Sequence, residues 1–89
     1  MDYSGLYKKL INTRKKLSRK SNNDGMLEKH HIIPKSLGGD NNKKNLILLT
    51  PREHYFAHWF LYKMNNGSKK AKMAYAFFRM CSNNPNQRR

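Results

Sequence analysis

Four histidines fall in two pairs, His30 beside His31 in EKHHII and His54 four residues before His58 in EHYFAH. The two spacings ask for different backbones if the rings are to act together. Four apart on a helix, two side chains share a face about one turn apart and both can reach one cation. Adjacent on a strand, two side chains point to opposite faces. One of His30 and His31 can then join the helical pair, while the other keeps its imidazole free. A strand packed on a helix is the arrangement that lets these four rings form one site.

Each element has its own local signals. MLEKHHII at 26–33 is short, partly β-branched and bounded by turn residues, and reads as a strand that ends at Pro34. KSLGGDNNKK follows as a polar loop in which Gly38 and Gly39 permit a sharp reversal. NLILL at 45–49 reads as a second strand, apolar enough to be buried on both faces. Thr50-Pro51-Arg52-Glu53 is a helix start: Thr50 caps, Pro51 has the φ of a first helical residue, and Glu53 closes a capping box. That helix should stop near Asn65-Asn66-Gly67.

On either side lie two more helical segments. Tyr3, Leu6, Tyr7, Leu10, Ile11 and Leu17 recur at helical spacing within residues 1–20, with Lys8, Lys9, Lys15 and Lys16 mostly on the remaining surface. SNNDG at 21–25 is a turn signal. Ser68 is the expected cap of a helix over 68–82, with Ala71, Ala74, Phe77, Phe78 and Cys81 as its apolar stripe, before a frayed tail at 83–89. Phe56, Trp59 and Phe60 are assigned to the core. The reading is a single α+β domain over residues 1–89, its centre at 26–64.

A chain of 89 residues has one modest core, seldom giving more than about 3–5 kcal/mol, so a staple is expected. Cys81 is the only cysteine, which excludes a disulfide within the chain and leaves a metal or a partner. Nineteen Lys and Arg against five Asp and Glu give a net charge of +14. That excess concentrates polyanions, and nucleic acid is the leading partner. No apolar run approaches the roughly 20 residues of a membrane span. MDYSGLYKK lacks the apolar segment of a secretory signal. The expected setting is the cytoplasm of the cell that makes the chain, with no membrane partner.

E-x-H-H-I-x-P-x-S-x-G-G, then N-L-x-x-L-T, then E-H-x-x-x-H resembles the His-Asn-His (HNH) endonucleases, whose ββα-metal site is also called a His-Me finger. The likeness covers about residues 27–61 and is strongest to phage-encoded HNH endonucleases, homing types among them, and to colicin-type nuclease domains. It implies a small ββα-metal fold and a DNA endonuclease that leaves a 5′-phosphate and a 3′-hydroxyl. Residue by residue, it implies His31 as general base and His30, His54 and His58 as ligands of one divalent ion. It implies Asn45 as the asparagine that pins the loop and holds the base. Glu28, two residues before His30 on the same strand face, is expected to support His30's second nitrogen or a nearby cation.

Three imidazoles suit Zn, Ni, Co or Mn by ligand preference, whereas HNH enzymes often work with Mg. Arg52, in the first helical turn, is placed to meet a phosphate. Lys8, Lys9, Arg14, Lys15, Lys16 and Lys35 complete the expected DNA-binding set. One site per chain implies nicking by a monomer, with a homodimer or a larger phage protein as the partner left open. Two alternatives stay in view: a non-catalytic DNA-binding or phage-packaging subunit with a structural metal, and a nuclease toxin domain.

Overall fold

A computed structural model of the protein describes residues 1–17 and 27–83. The turn expected at 21–25, Arg19 and Lys20 of the basic segment, and the tail from residue 84 lie outside the described residues. Helix α1, Tyr3–Lys15, is capped by the Asp2 carboxylate, which accepts from the Gly5 amide at 2.9 Å. Strands β1, Glu28–His31, and β2, Leu46–Leu49, pair antiparallel, with His30 opposite Ile47 and Glu28 opposite Leu49. Helices α2, Pro51–Met64, and α3, Gly67–Asn83, complete the order. α2 packs on α1, on α3 and on the sheet. No helix among the described residues is long and apolar enough to cross a membrane.

The start of α2 forms as its sequence dictates. Thr50 Oγ1 accepts from the Glu53 amide at 3.2 Å, and Glu53 Oε1 accepts from the Thr50 amide at 2.9 Å, with Pro51 at the first helical position. A reciprocal cap of this kind is worth about 1 kcal/mol. The other carboxylate oxygen of Glu53 accepts from Arg14 Nε at 2.6 Å. Glu53 is therefore more than a cap, because it also ties α1 to the start of α2.

Tyr7, Ile11, Ile47, Leu49, Ala57, Leu61 and Met73 form the buried core. Several sequence expectations change here. β2 buries only the face of Ile47 and Leu49, while Leu46 and Leu48 are half-buried, because alternate residues of a strand point apart and the core lies on one side. On α2, Ala57 and Leu61 take the inner stripe. Phe56 is 40% exposed, and Trp59 and Phe60 are half-buried, since bulky residues spread around a helix cannot all face one way. Phe60 still packs against the core and also meets Tyr3, while Trp59 meets Phe77. α3 begins at Gly67, so Ser68 lies inside its first turn, and Met73 is its buried residue while Phe78 is 73% exposed.

β1 is shorter than the expected strand. It ends at His31 because Ile32 and Ile33 pair with Asn45, which closes a 3-10 turn, Lys43–Asn45, instead of opening β2. The loop between them begins with a second 3-10 turn, Lys35–Leu37, and reverses at Gly38, whose φ is 98°. Gly39 is required for another reason. A β-carbon there would run into the Ile33 carbonyl and stand 2.9 Å from Asn45 Nδ2.

Candidate metal centre

The pleat of β1 turns Glu28 and His30 toward the helices and Lys29 and His31 away. His30 is almost fully buried, at 1% exposure. One turn apart on α2, His54 and His58 meet it from the facing helix. Ring centroids lie 5.1 Å apart for His30 with His54, 5.1 Å for His30 with His58, and 4.8 Å for His54 with His58. Each residue offers one nitrogen, and these donor atoms all lie within 4.8 Å of one another. Among the described residues this is the group of three able to hold a metal ion.

The surrounding hydrogen bonds decide which nitrogens are available. Glu28 Oε1 lies 2.8 Å from His54 Nδ1, so Nδ1 carries the hydrogen and Nε2 keeps the lone pair. Glu28 thus supports His54, across the strand–helix junction, and not the second nitrogen of His30. That nitrogen, Nε2, lies 2.8 Å from the hydroxyl of Tyr7. His30 Nδ1 and His58 Nδ1 are buried with no hydrogen-bond partner, and such atoms cost about 1–3 kcal/mol each. His54 Nε2 and His58 Nε2 face each other at 3.1 Å. Converging imidazole nitrogens, two of the rings having a nitrogen without a partner, fit a cation of the kind imidazole prefers.

Electrostatics keep the lone pairs free. Burial lowers the His30 pKa from 6.5 to about 2, with further lowering from His58, His54 and His31. His58 falls from 6.5 to about 4, again chiefly by burial and then by His54. Both rings are neutral at neutral pH, the form that binds metal.

On the opposite face, His31 is half-buried and its Nε2 lies 2.9 Å from Asn41 Oδ1. The Asn41 oxygen only accepts, so Nε2 bears the hydrogen and Nδ1 holds the basic lone pair. Asn45 secures the loop that delivers Asn41. Its Oδ1 accepts from the Ile33 amide at 2.8 Å, and its Nδ2 donates to the Ile33 carbonyl at 3.0 Å and the Asp40 carbonyl at 2.8 Å. The side-chain amide thereby exchanges with Ile33 the two bonds that a paired strand residue would. Its second hydrogen holds the residue next to Asn41. Only a side chain that both donates and accepts can do this.

The family profile described as HNH endonuclease matches residues 15–54. The chain is 47% identical over 70 residues to "Probable mobile endonuclease D" of Enterobacteria phage T4, covering 76% of this chain and 27% of that protein. It is 39% identical over 85 residues to "Probable mobile endonuclease E" of the same phage, covering 92% of this chain and 54% of that protein. A third relative, "Uncharacterized 38.5 kDa protein in psbA intron 1" of Chlamydomonas moewusii, is 54% identical over 41 residues, or 46% of this chain and 12% of its own length. No solved structure gives a significant match. The chain belongs to the HNH endonuclease family.

The chain spans between about a quarter and a half of the phage relatives it matches. Its HNH profile match takes in His30, His31, Asn45 and His54, whereas His58 and Tyr7 lie outside it. The two-stranded sheet with its facing helix is the α+β HNH architecture that the resemblance implied. Of the residues expected to bind DNA, Lys8, Lys9, Lys15, Lys16, Lys35 and Arg52 are exposed. Arg14 differs, because its guanidinium is engaged by Glu53. Tyr7 and Asn41 escaped the sequence reading. Tyr7 looks like one more apolar residue of an amphipathic stripe, and Asn41 like one more polar loop residue. No spacing rule distinguishes either.

Proposed function

We propose that the chain is a metal-dependent DNA endonuclease of the phage or homing type, acting in the cytoplasm of a bacterial or phage-infected cell. The observation that carries this reading is the division of labour across β1. Three imidazoles gather on the inner face, and a fourth, His31, is held on the outer face by Asn41. His30, His54 and His58 would hold one divalent ion. When bound, such an ion stabilises the charge of the transition state and of the leaving oxygen.

The remaining chemistry belongs to the chain's own residues. His31 Nδ1 takes a proton from water as the water oxygen bonds to phosphorus, and the bond from phosphorus to the 3′ oxygen breaks in line. A 5′-phosphate and a 3′-hydroxyl result. Asn45 keeps the loop, and so the His31 ring, in place. The exposed lysines and Arg52 supply counterion-releasing phosphate contacts, and Arg52 does so beside the N-terminus of α2.

Purified chain incubated with supercoiled plasmid and Mg, Mn, Zn, Ni or Co ions, with and without chelator, tests the proposal. Open circles should form only with a divalent ion. His31→Ala should slow nicking by about 100-fold or more while leaving the fold and Zn²⁺ affinity intact. Cutting at full rate by that variant, or cutting in chelator, would remove the role given to His31 or to the ion. DNA binding without cutting under any ion would favour an accessory, non-catalytic subunit.

A further inference from the structure

The most buried ligand of the cluster takes its support from outside the HNH match. Two short contacts converge on the Tyr7 hydroxyl, which lies 2.6 Å from the Ile32 carbonyl and 2.8 Å from His30 Nε2. A phenol has one hydrogen to donate, and a carbonyl oxygen can only accept. The Tyr7 hydrogen therefore goes to Ile32, and the oxygen presents only lone pairs to His30. His30 Nε2 must then be the N–H, which leaves the single lone pair of a neutral imidazole on Nδ1. That is the atom left buried without a hydrogen-bond partner.

We propose that Tyr7 is a positioning residue of the metal centre: by accepting from His30 Nε2 it selects one tautomer and directs the Nδ1 lone pair at the ion. The inference rests on the metal reading given above. It makes α1 part of the site, and not only a basic arm with a packing stripe. One turn further along α1, Ile11 is buried with Tyr7 and sets the helix register that delivers the hydroxyl. The salt bridge from Arg14 to Glu53 fixes the same helix against the start of α2. Burial also pushes the Tyr7 phenol above its ordinary pKa range, which keeps it protonated and able to donate to Ile32. Phenylalanine would keep the ring and lose the acceptor. His30 would then be free to place its hydrogen on Nδ1 and close the ligand position.

Two measurements test this. Nitrogen-15 NMR of the histidine rings in metal-free wild-type protein should show His30 with hydrogen on Nε2; hydrogen on Nδ1 overturns the proposal. Zn²⁺ titration against a competing chelating dye should then show Tyr7→Phe binding about 10–100-fold more weakly than wild type, the range typical of groups that orient metal ligands. Equal Zn²⁺ affinity in a folded Tyr7→Phe protein overturns it, because a purely structural hydroxyl changes thermal stability and not ligand basicity. A wild-type chain with no Zn²⁺ affinity would instead remove the metal reading, and the tautomer measurement would still decide what Tyr7 does. Should Tyr7→Phe fail to fold, the wild-type tautomer decides alone.

Discussion

The carboxylate of Glu28 accepts a hydrogen bond from His54 Nδ1 across 2.8 Å, joining the first residue of β1 to the first turns of α2. This bond fixes the His54 tautomer and leaves Nε2 as its lone-pair nitrogen. Replacing Glu28 with alanine should weaken Zn²⁺ binding by about 10–100-fold, whereas Glu28→Gln, which can still accept through its amide oxygen, should lose less. Titration with Zn²⁺ and a competing dye checks the order. Equal losses in the two variants would mean that charge, and not orientation of the ring, is what Glu28 contributes.

Gly38 and Gly39 should respond differently to a methyl group. Gly38→Ala meets open space but places a β-carbon on a residue with φ of 98°, a conformation that costs about 1–2 kcal/mol. Gly39→Ala drives the methyl into the Ile33 carbonyl and crowds the Asn45 amide. Overpacking costs about 1–3 kcal/mol. Both variants should lower the thermal midpoint. Gly39→Ala should also lower nicking by the folded protein, because it displaces the amide that secures the loop beside His31.

Metal-free protein should lose stability in mild acid. His30 and His58 titrate at about 2 and about 4 in the folded chain, against an ordinary 6.5. Between 6.5 and about 4 the unfolded chain takes up both protons while the folded chain resists them. Stability is therefore fully present above 6.5 and falls as pH drops below it. Two protons correspond to a slope of at most about 2.7 kcal/mol per pH unit. Glu28 and Tyr7 also face these rings, and their variants give the control. Urea midpoints in chelator from pH 7.5 to 5 should fall steeply, and a flat profile would mean that the rings are not buried as described.

Lys8, Lys9, Lys15 and Lys16 line exposed positions of α1 and the residue after it. Substituting all four with glutamine should weaken DNA binding for every sequence alike. The slope of log affinity against log salt should fall by about one unit per lost phosphate contact. Arg14 is excluded from that set because Glu53 engages it. Arg14→Ala should lower the thermal midpoint by detaching α1 from α2. A changed sequence preference at constant affinity in the lysine variant would mark α1 as a reader of bases.

Much of the site was legible in residue order because its signals are local. The capping box at Thr50 and Glu53 sets where α2 begins, and that start places His54 and His58 on one face. Alternation along β1 separates His30 from His31 whatever lies around them. The expected end of β1 was wrong for a reason that is also local in form but not in cause: Ile32 and Ile33 satisfy their amides on Asn45, twelve or more residues away.

What residue order could not convey is which atom faces which. Glu28 was expected to support His30's second nitrogen or a nearby cation, and its hydrogen bond goes to His54, because the choice depends on how β1 sits against α2. Tyr7 carries no mark that separates it from Leu6 or Leu10 until the chain folds and brings it to His30, 23 residues on. Periodicity records which face a side chain occupies. The tautomer of an imidazole depends on the partner of its other nitrogen, and only packing between distant segments supplies that partner.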